Sequence, residues 1–234
     1  MRTLLFVFLL VSAVSVPAQS PVVRPLFNQG TVFAKAGEFE KALASYRTAL
    51  KMSENGENNV NFLARLRYNL GVCEFHLGRW ETAVSEYRKA IELRGGDYAE
   101  AFYALGMAET ARKSWPQARD AFLGALKHNK KNGEAWFDLG FAYVSERNFE
   151  QAEIAFRKAI ALRSIDTPLS HNNVGVILAM RGDMTAAKYE FDLAYRLSAG
   201  RLKMAESNRR FCERYEQTGD LLASQLKIIY RNDN

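Results

Sequence analysis

Small and aromatic residues recur along the chain in a pattern that repeats every 34 or 35 residues. Gly71, Gly106, Gly140 and Gly175 are 35, 34 and 35 residues apart. Each is followed twelve residues later by an alanine, four further on by an aromatic residue, and three further on by another alanine. These positions are Ala83, Ala118, Ala152 and Ala187, then Tyr87, Phe122, Phe156 and Phe191, then Ala90, Ala125, Ala159 and Ala194. An earlier copy has Gly30, Ala42, Tyr46 and Ala49, so the pattern predicts five copies of one structural unit.

The spacing within each copy is helical. The small and apolar positions fall into two groups, and each group shares one face of a helix with 3.6 residues per turn. Glycine on the first helix and alanine on the second let the two backbones approach closely, and the aromatic ring fills the space beside them. Because one helix pair cannot bury this face alone, neighbouring pairs are expected to stack into an all-α solenoid.

The unit resembles the tetratricopeptide repeat, a helix-turn-helix of about 34 residues. The fourth copy is the most similar, and the residues in the family's signature positions are Trp136, Leu139, Gly140, Tyr143, Phe149, Ala152, Phe156 and Ala159. The resemblance covers roughly residues 24 to 230. It implies a right-handed α-solenoid of five helix pairs with a degenerate C-terminal capping repeat. The predicted copies are residues 23–56, 64–97, 99–132, 133–166 and 168–201, with the degenerate copy at 205–234.

The copies depart from the pattern at several positions. Gly30 and Gly71 are 41 residues apart, and the polar run 53–59 predicts a longer loop in the first copy. Glu74 and Glu109 replace the usual tyrosine in the second and third copies, where a small shift of the stack would expose both to solvent. In the degenerate copy Cys212 replaces the packing glycine, and residues 221–228 follow a turn at 219–220.

The first eighteen residues predict a secretory signal peptide. One arginine precedes an apolar run of about thirteen residues, and small residues precede the expected cleavage site after Ala18. The alternative is a membrane anchor, but the run is shorter than the ~20 residues that a spanning helix needs. We therefore expect a repeat domain at residues 19–234 that is exported, most simply to a bacterial periplasm or cell envelope, or else secreted.

Charge does not favour a nucleic-acid partner. The chain has 32 Lys and Arg residues against 26 Asp and Glu residues, a net charge of +6. The basic residues are scattered beside acidic ones without a long run of one sign, which is typical of solvated helix faces. With 48% hydrophobic residues the chain is long and apolar enough for one sizeable domain or a repeat array.

The sequence offers little for catalysis. His76, His128 and His171 are far apart in the repeat map and match no metal-binding spacing, and we find no nucleophile elbow or glycine-rich phosphate loop. We expect no catalytic, cofactor or metal site. Cys73 and Cys212 are four copies apart, too far for a disulfide, with Cys73 buried and Cys212 the better candidate for exposure.

The resemblance implies a site for a protein or peptide partner in the concave groove formed by the first helices. The groove positions of the family correspond here to Lys35, Arg65, Tyr68, Asn69, Phe75, Tyr103, Met107, Phe137, Phe141 and Asn172. Their centre is aromatic and apolar, as in many recognition surfaces. The alternative is that some of these rings pack against the next copy. A carboxylate clamp known in one branch of the family is disfavoured, because only Asn69 of its residues is present.

These observations predict a non-catalytic scaffold or adaptor that binds a partner segment in the groove. Two alternatives remain open. The solenoid could associate with itself as a structural spacer, or it could be the accessory subunit of an envelope complex.

Overall fold

The computed structural model describes residues 22–54, 59–218 and 226–230, and these residues form eleven α-helices and no strand. The helices are α1 Val23–Lys35, α2 Phe39–Glu54, α3 Val60–His76, α4 Trp80–Leu93, α5 Ala99–Ala111, α6 Trp115–His128, α7 Gly133–Ser145, α8 Phe149–Ala161, α9 Thr167–Met180, α10 Met184–Leu197 and α11 Lys203–Thr218. Each helix packs mainly against its neighbours in chain order. The predicted all-α repeat solenoid is confirmed.

The repeated glycine and aromatic positions explain how closely the two helices of each copy approach one another. A Cβ atom placed on Gly140 would lie 2.7 Å from two ring atoms of Phe156, and one on Gly71 would lie 2.6 Å from the Tyr87 ring. The same arrangement pairs Gly30 with Tyr46 and Gly175 with Phe191. Only a residue without a side chain fits under the ring, so the contact between glycine and ring sets the distance between the two helices of a copy.

The turn inside each copy has the same backbone in all five. Two residues after the last residue of each first helix, φ is positive: 76° at Gly37, 73° at Gly78, 59° at Lys113, 61° at Arg147 and 89° at Gly182. This left-handed conformation closes the helix end and favours glycine. Lys113 and Arg147 adopt it at a cost, because their Cβ atoms crowd the backbone there.

Glu74 and Glu109 are buried, which corrects the expectation that they face solvent. Arg47 on α2 lies 2.6 Å from Glu74, and Arg79 binds the other oxygen of the same carboxylate. Glu109 repeats the arrangement with Arg88 at 2.8 Å and Arg112 at 2.6 Å. Each glutamate therefore joins its own turn to the second helix of the preceding copy, and the paired arginines offset the cost of burying the charge.

Two further expectations are corrected. Cys212 is fully buried, like Cys73, because it packs with Phe191 and Phe211 near the end of the stack. The predicted loop at 53–59 begins later than expected, since α2 continues to Glu54 and Ser53 is buried in it, donating a hydrogen bond to the Ala49 carbonyl. Pro116 lies in the first turn of α6, where its missing N–H costs nothing.

The degenerate sixth copy begins with a regular helix, α11, which packs on α10. Residues 226–230 are not helical, so this part of the copy does not complete a second helix. We call residues 226–230 the tail segment. It crosses the odd-numbered helices and brings Ile229 into the same apolar cluster as Phe137, Leu169 and Leu202.

Candidate functional site

The odd-numbered helices α5, α7, α9 and α11 present one surface on which the tail segment lies. Five of the ten residues predicted for the groove belong to these helices: Tyr103, Met107, Phe137, Phe141 and Asn172. Four of these five, Met107, Phe137, Phe141 and Asn172, contact the tail segment directly. The structure therefore brings four of the ten predicted residues together around a piece of the protein's own chain.

Three asparagines hold the main chain of the tail segment. Asn173 accepts a hydrogen bond from the Ile229 N–H at 2.8 Å and donates one to the Ile229 carbonyl at 2.9 Å. Asn208 makes the same pair of contacts with Lys227, at 3.3 and 3.1 Å. Asn172 donates to the Lys227 carbonyl at 3.2 Å and accepts from Asn208 at 2.9 Å. A primary amide carries both a donor and an acceptor, so it can replace a backbone group of a neighbouring strand.

The alternation of these contacts shows that the tail segment is extended. Lys227 and Ile229 direct both of their main-chain groups toward the asparagines, and residues two apart share one edge only in an extended chain. All three asparagines are buried, at most 1% exposed. Because a buried amide left without partners is costly, these side chains must bind peptide groups or ordered water.

Aromatic rings receive the last described residue of the tail segment. The Tyr230 ring lies 4.3 Å from that of Phe141 and 6.3 Å from that of Phe137, nearly parallel to the latter. The Tyr230 hydroxyl lies 3.9 Å from the Met107 sulfur atom. These contacts extend the surface from α11 back to α5, so the tail segment spans four copies.

The other predicted groove residues have different surroundings. Tyr103 donates a 2.8 Å hydrogen bond to Asp138 and lies beside Phe122. Tyr68 packs between Tyr87 and Tyr98, and burial raises the pKa of its hydroxyl. Phe75 and Tyr68 pack against one apolar cluster that contains Tyr87 of their own copy and Leu105 of the next, so both rings pack between copies.

The predicted polar groove residues of the first two copies lie nearer to solvent. Lys35 is exposed at the end of α1. Arg65 is exposed with its guanidinium 5.1 Å from the centre of the Phe27 ring, and Asn69 is half-buried on α3. These residues stand apart from the part of the surface that the tail segment covers.

Sequence reasoning missed Asn173, Asn208 and the tail segment itself. Asn173 occupies the same repeat position as Asn69 and Asp138, and the adjacent pair of asparagines directly before the apolar run 174–180 was the available signal. Asn208 lies in the degenerate copy, 36 residues after Asn172, where the repeat pattern no longer assigns positions reliably.

The described residues contain no group of three His, Cys, Asp or Glu side chains that could hold a metal ion. His171 lies in the core with its Nδ1 atom 2.6 Å from Glu190, which also pairs with Arg157, so this histidine serves packing. Within the described part of the chain, the helices are too short or too polar to cross a membrane.

A family model for the tetratricopeptide repeat matches this chain in four overlapping stretches, residues 27–99, 79–134, 103–167 and 137–201. The mouse BBSome complex member BBS4 is 25% identical over 169 residues, and the match covers 72% of this chain but 31% of that protein. The chain thus spans about a third of this curated relative.

Solved structures show the same fold. MamA is 25% identical, with a TM-score of 0.66 over 74% of this chain and 96% of that one. YrrB, described as a repeat protein with an unusual peptide-binding site, has a TM-score of 0.65 at 20% identity, over 79% of this chain and 96% of its own.

Proposed function

The chain belongs to the tetratricopeptide repeat family, and from that premise we propose that it is a non-catalytic scaffold which binds an extended segment of a partner protein on its odd-numbered helices. The observation that carries the proposal is the set of three buried asparagines, each of which makes hydrogen bonds with main-chain groups of an extended segment. Such contacts recognise a main chain whatever its sequence, and the neighbouring side chains supply the selectivity.

Aromatic and apolar residues of the preceding odd-numbered helices form the rest of the proposed site. Tyr68, Phe75, Tyr103, Met107, Phe137 and Phe141 follow one another along α3, α5 and α7. Aromatic residues and methionine are enriched at interfaces, because the rings bury a large area and the flexible, polarisable methionine side chain adapts to an irregular surface. Tyr103 is the most useful reporter, since it is half-buried and packs against the apolar cluster that contains Phe122 and Leu139.

The test is photo-crosslinking in the native host with a benzophenone amino acid in place of Tyr103. A matched control places the same probe at Tyr189, which is 63% exposed on the second helix α10. We expect the probe at Tyr103 to capture a partner that the probe at Tyr189 does not. Crosslinks at both positions, or only to another copy of this chain, would instead support the spacer alternative.

Export is the second part of the proposal. It rests on residues 1–18, which lie outside the described residues, and it would place the scaffold in a bacterial envelope or a secretory route. N-terminal sequencing of the protein from its host tests this directly. We expect the mature chain to begin at Gln19, and a chain that retains its first eighteen residues would contradict the proposed processing.

A further inference from the structure

The tail segment has the properties expected of a ligand rather than of a sixth repeat. It is extended where a second helix would continue the solenoid, and its main chain is held by side chains of α9 and α11. Ile229 is 3% exposed, whereas the Lys227 side chain is exposed. The contacts therefore select an extended backbone, one aliphatic side chain and one aromatic ring. They place no requirement on the side chain at the position of Lys227.

We infer that the tail segment is a built-in occupant of the groove, that a partner must displace it, and that the displacing segment is an extended chain with an aliphatic residue followed by an aromatic one. This inference rests on the proposed function and adds to it the chemistry of the partner and the state of the unbound protein. An intramolecular occupant acts as a competitor at an effective concentration on the order of millimolar, so it weakens the binding of every external segment.

The positions of the three asparagines explain why the occupant would be exchanged rather than permanently buried. The hydrogen bonds to Lys227 and Ile229 join neutral groups, and such bonds contribute little net stability because they replace hydrogen bonds to water. An external segment with the same pattern offers the same main-chain groups to the same amides. The exchange therefore conserves the bonds of the buried amides, which are expensive to leave unsatisfied.

The probe for the test is a labelled peptide with the sequence of residues 226–230, Leu-Lys-Ile-Ile-Tyr, capped at both ends. Its binding is measured by fluorescence anisotropy with three forms of the full chain. The first is the natural protein, the second carries Ile229→Asp and Tyr230→Ala to release the tail segment, and the third adds Asn173→Ala to the second. Circular dichroism confirms that each form is folded.

We expect the tail-released form to bind the peptide at least tenfold more tightly than the natural protein, and Asn173→Ala to remove most of that binding. A matched control adds Asn61→Ala to the tail-released form. Asn61 is exposed on α3, away from the tail segment, so its substitution should leave the affinity unchanged. Peptides with alanine in place of Ile229 or Tyr230 should lose at least tenfold in affinity, and a peptide with alanine in place of Lys227 should bind normally.

Equal affinity of the natural and tail-released forms would overturn the inference, and so would failure of the tail-released form to bind. Neither result affects capture at Tyr103, so the proposed function is judged separately by crosslinking. Light scattering tests a swapped arrangement. A dimer that dissociates on Ile229→Asp would show that the tail segment fills the groove of a second copy, which would overturn the intramolecular form of the inference.

Discussion

The Oε1 atom of Glu109 lies 2.8 Å from the Nη2 atom of Arg88, across the boundary between two repeats. The carboxylate is buried on α5, and the arginine reaches it from the partly exposed face of α4. The same pair occurs one copy earlier as Glu74 and Arg47. A substitution that departs from the repeat pattern is therefore itself repeated, because it forms a charge pair that joins successive copies.

Glu109→Gln is expected to destabilise the fold by about 1–3 kcal/mol, because the buried side chain keeps its size but loses a charge that two arginines bind. Urea unfolding followed by circular dichroism measures the change. Glu81→Gln is the matched control: Glu81 binds the same Arg112 but is largely exposed, so its loss should have a much smaller effect. Equal effects of the two substitutions would mean that burial of Glu109 contributes nothing.

Arg147→Gly is expected to stabilise the protein by about 0.5–1 kcal/mol, because φ is 61° at this position and glycine adopts the left-handed conformation without steric strain. Gly182→Ala changes the corresponding turn of the next copy in the opposite direction and should destabilise by a similar amount. Thermal unfolding of both variants is the measurement. A loss of stability in Arg147→Gly would show that its side chain contributes more than the turn costs.

Gly140→Ala is expected to destabilise the fold by about 1–2 kcal/mol, since the new methyl group would lie 2.7 Å from the Phe156 ring. The cost of this overlap exceeds the ~1 kcal/mol by which alanine favours a helix over glycine. The same substitution is then made in a Phe156→Leu background and both are unfolded in urea. If the ring causes the effect, most of the cost disappears there; an unchanged cost would assign it to the backbone.

Stability is expected to fall above pH 9 because of Cys73. Burial, together with the nearby Glu74 carboxylate, raises the pKa of the Cys73 thiol from 9.0 to about 11. The unfolded chain loses this proton first, so between pH 9 and pH 11 it binds fewer protons than the folded chain. The free energy of unfolding then decreases with rising pH, by at most about 1.4 kcal/mol per pH unit.

A comparison with Cys73→Ala isolates this contribution from the buried tyrosines, whose pKa values are also raised. The variant leaves a small cavity and should be less stable at neutral pH. We expect the stability of the natural protein relative to the variant to fall by about 2 kcal/mol from pH 9 to pH 11. A constant difference across this range would show that the thiol ionises as readily in the folded protein as in the unfolded chain.

The sequence predicted the solenoid well because its determinants are local and repeated. Gly140 and Phe156 are sixteen residues apart, and five such pairs share one spacing, so the register of each helix pair could be inferred without coordinates. Asn172, Phe137 and Phe141 were assigned to the groove in the same way, since each occupies a fixed position within its copy.

The remaining features depend on partners from elsewhere in the chain. The burial of Glu74 requires Arg47, which lies 27 residues earlier in a different copy. The contact between Asn173 and Ile229 spans 56 residues and involves a segment in which the repeat pattern has ended. A periodic pattern predicts the contacts that every copy makes. The contacts of Glu74 and Asn173 instead depend on residues at which the copies differ.

The position of the tail segment also has a mechanical consequence. The repeats of a solenoid contact only their neighbours, so small rotations between successive repeats add up to a change in its curvature. The tail segment connects repeats that are not neighbours, from Met107 on α5 to Asn208 on α11. While it is in place the carboxyl-terminal half cannot unwind without breaking those contacts. Release of the tail segment would therefore expose the groove and make the carboxyl-terminal half of the solenoid more flexible at the same time.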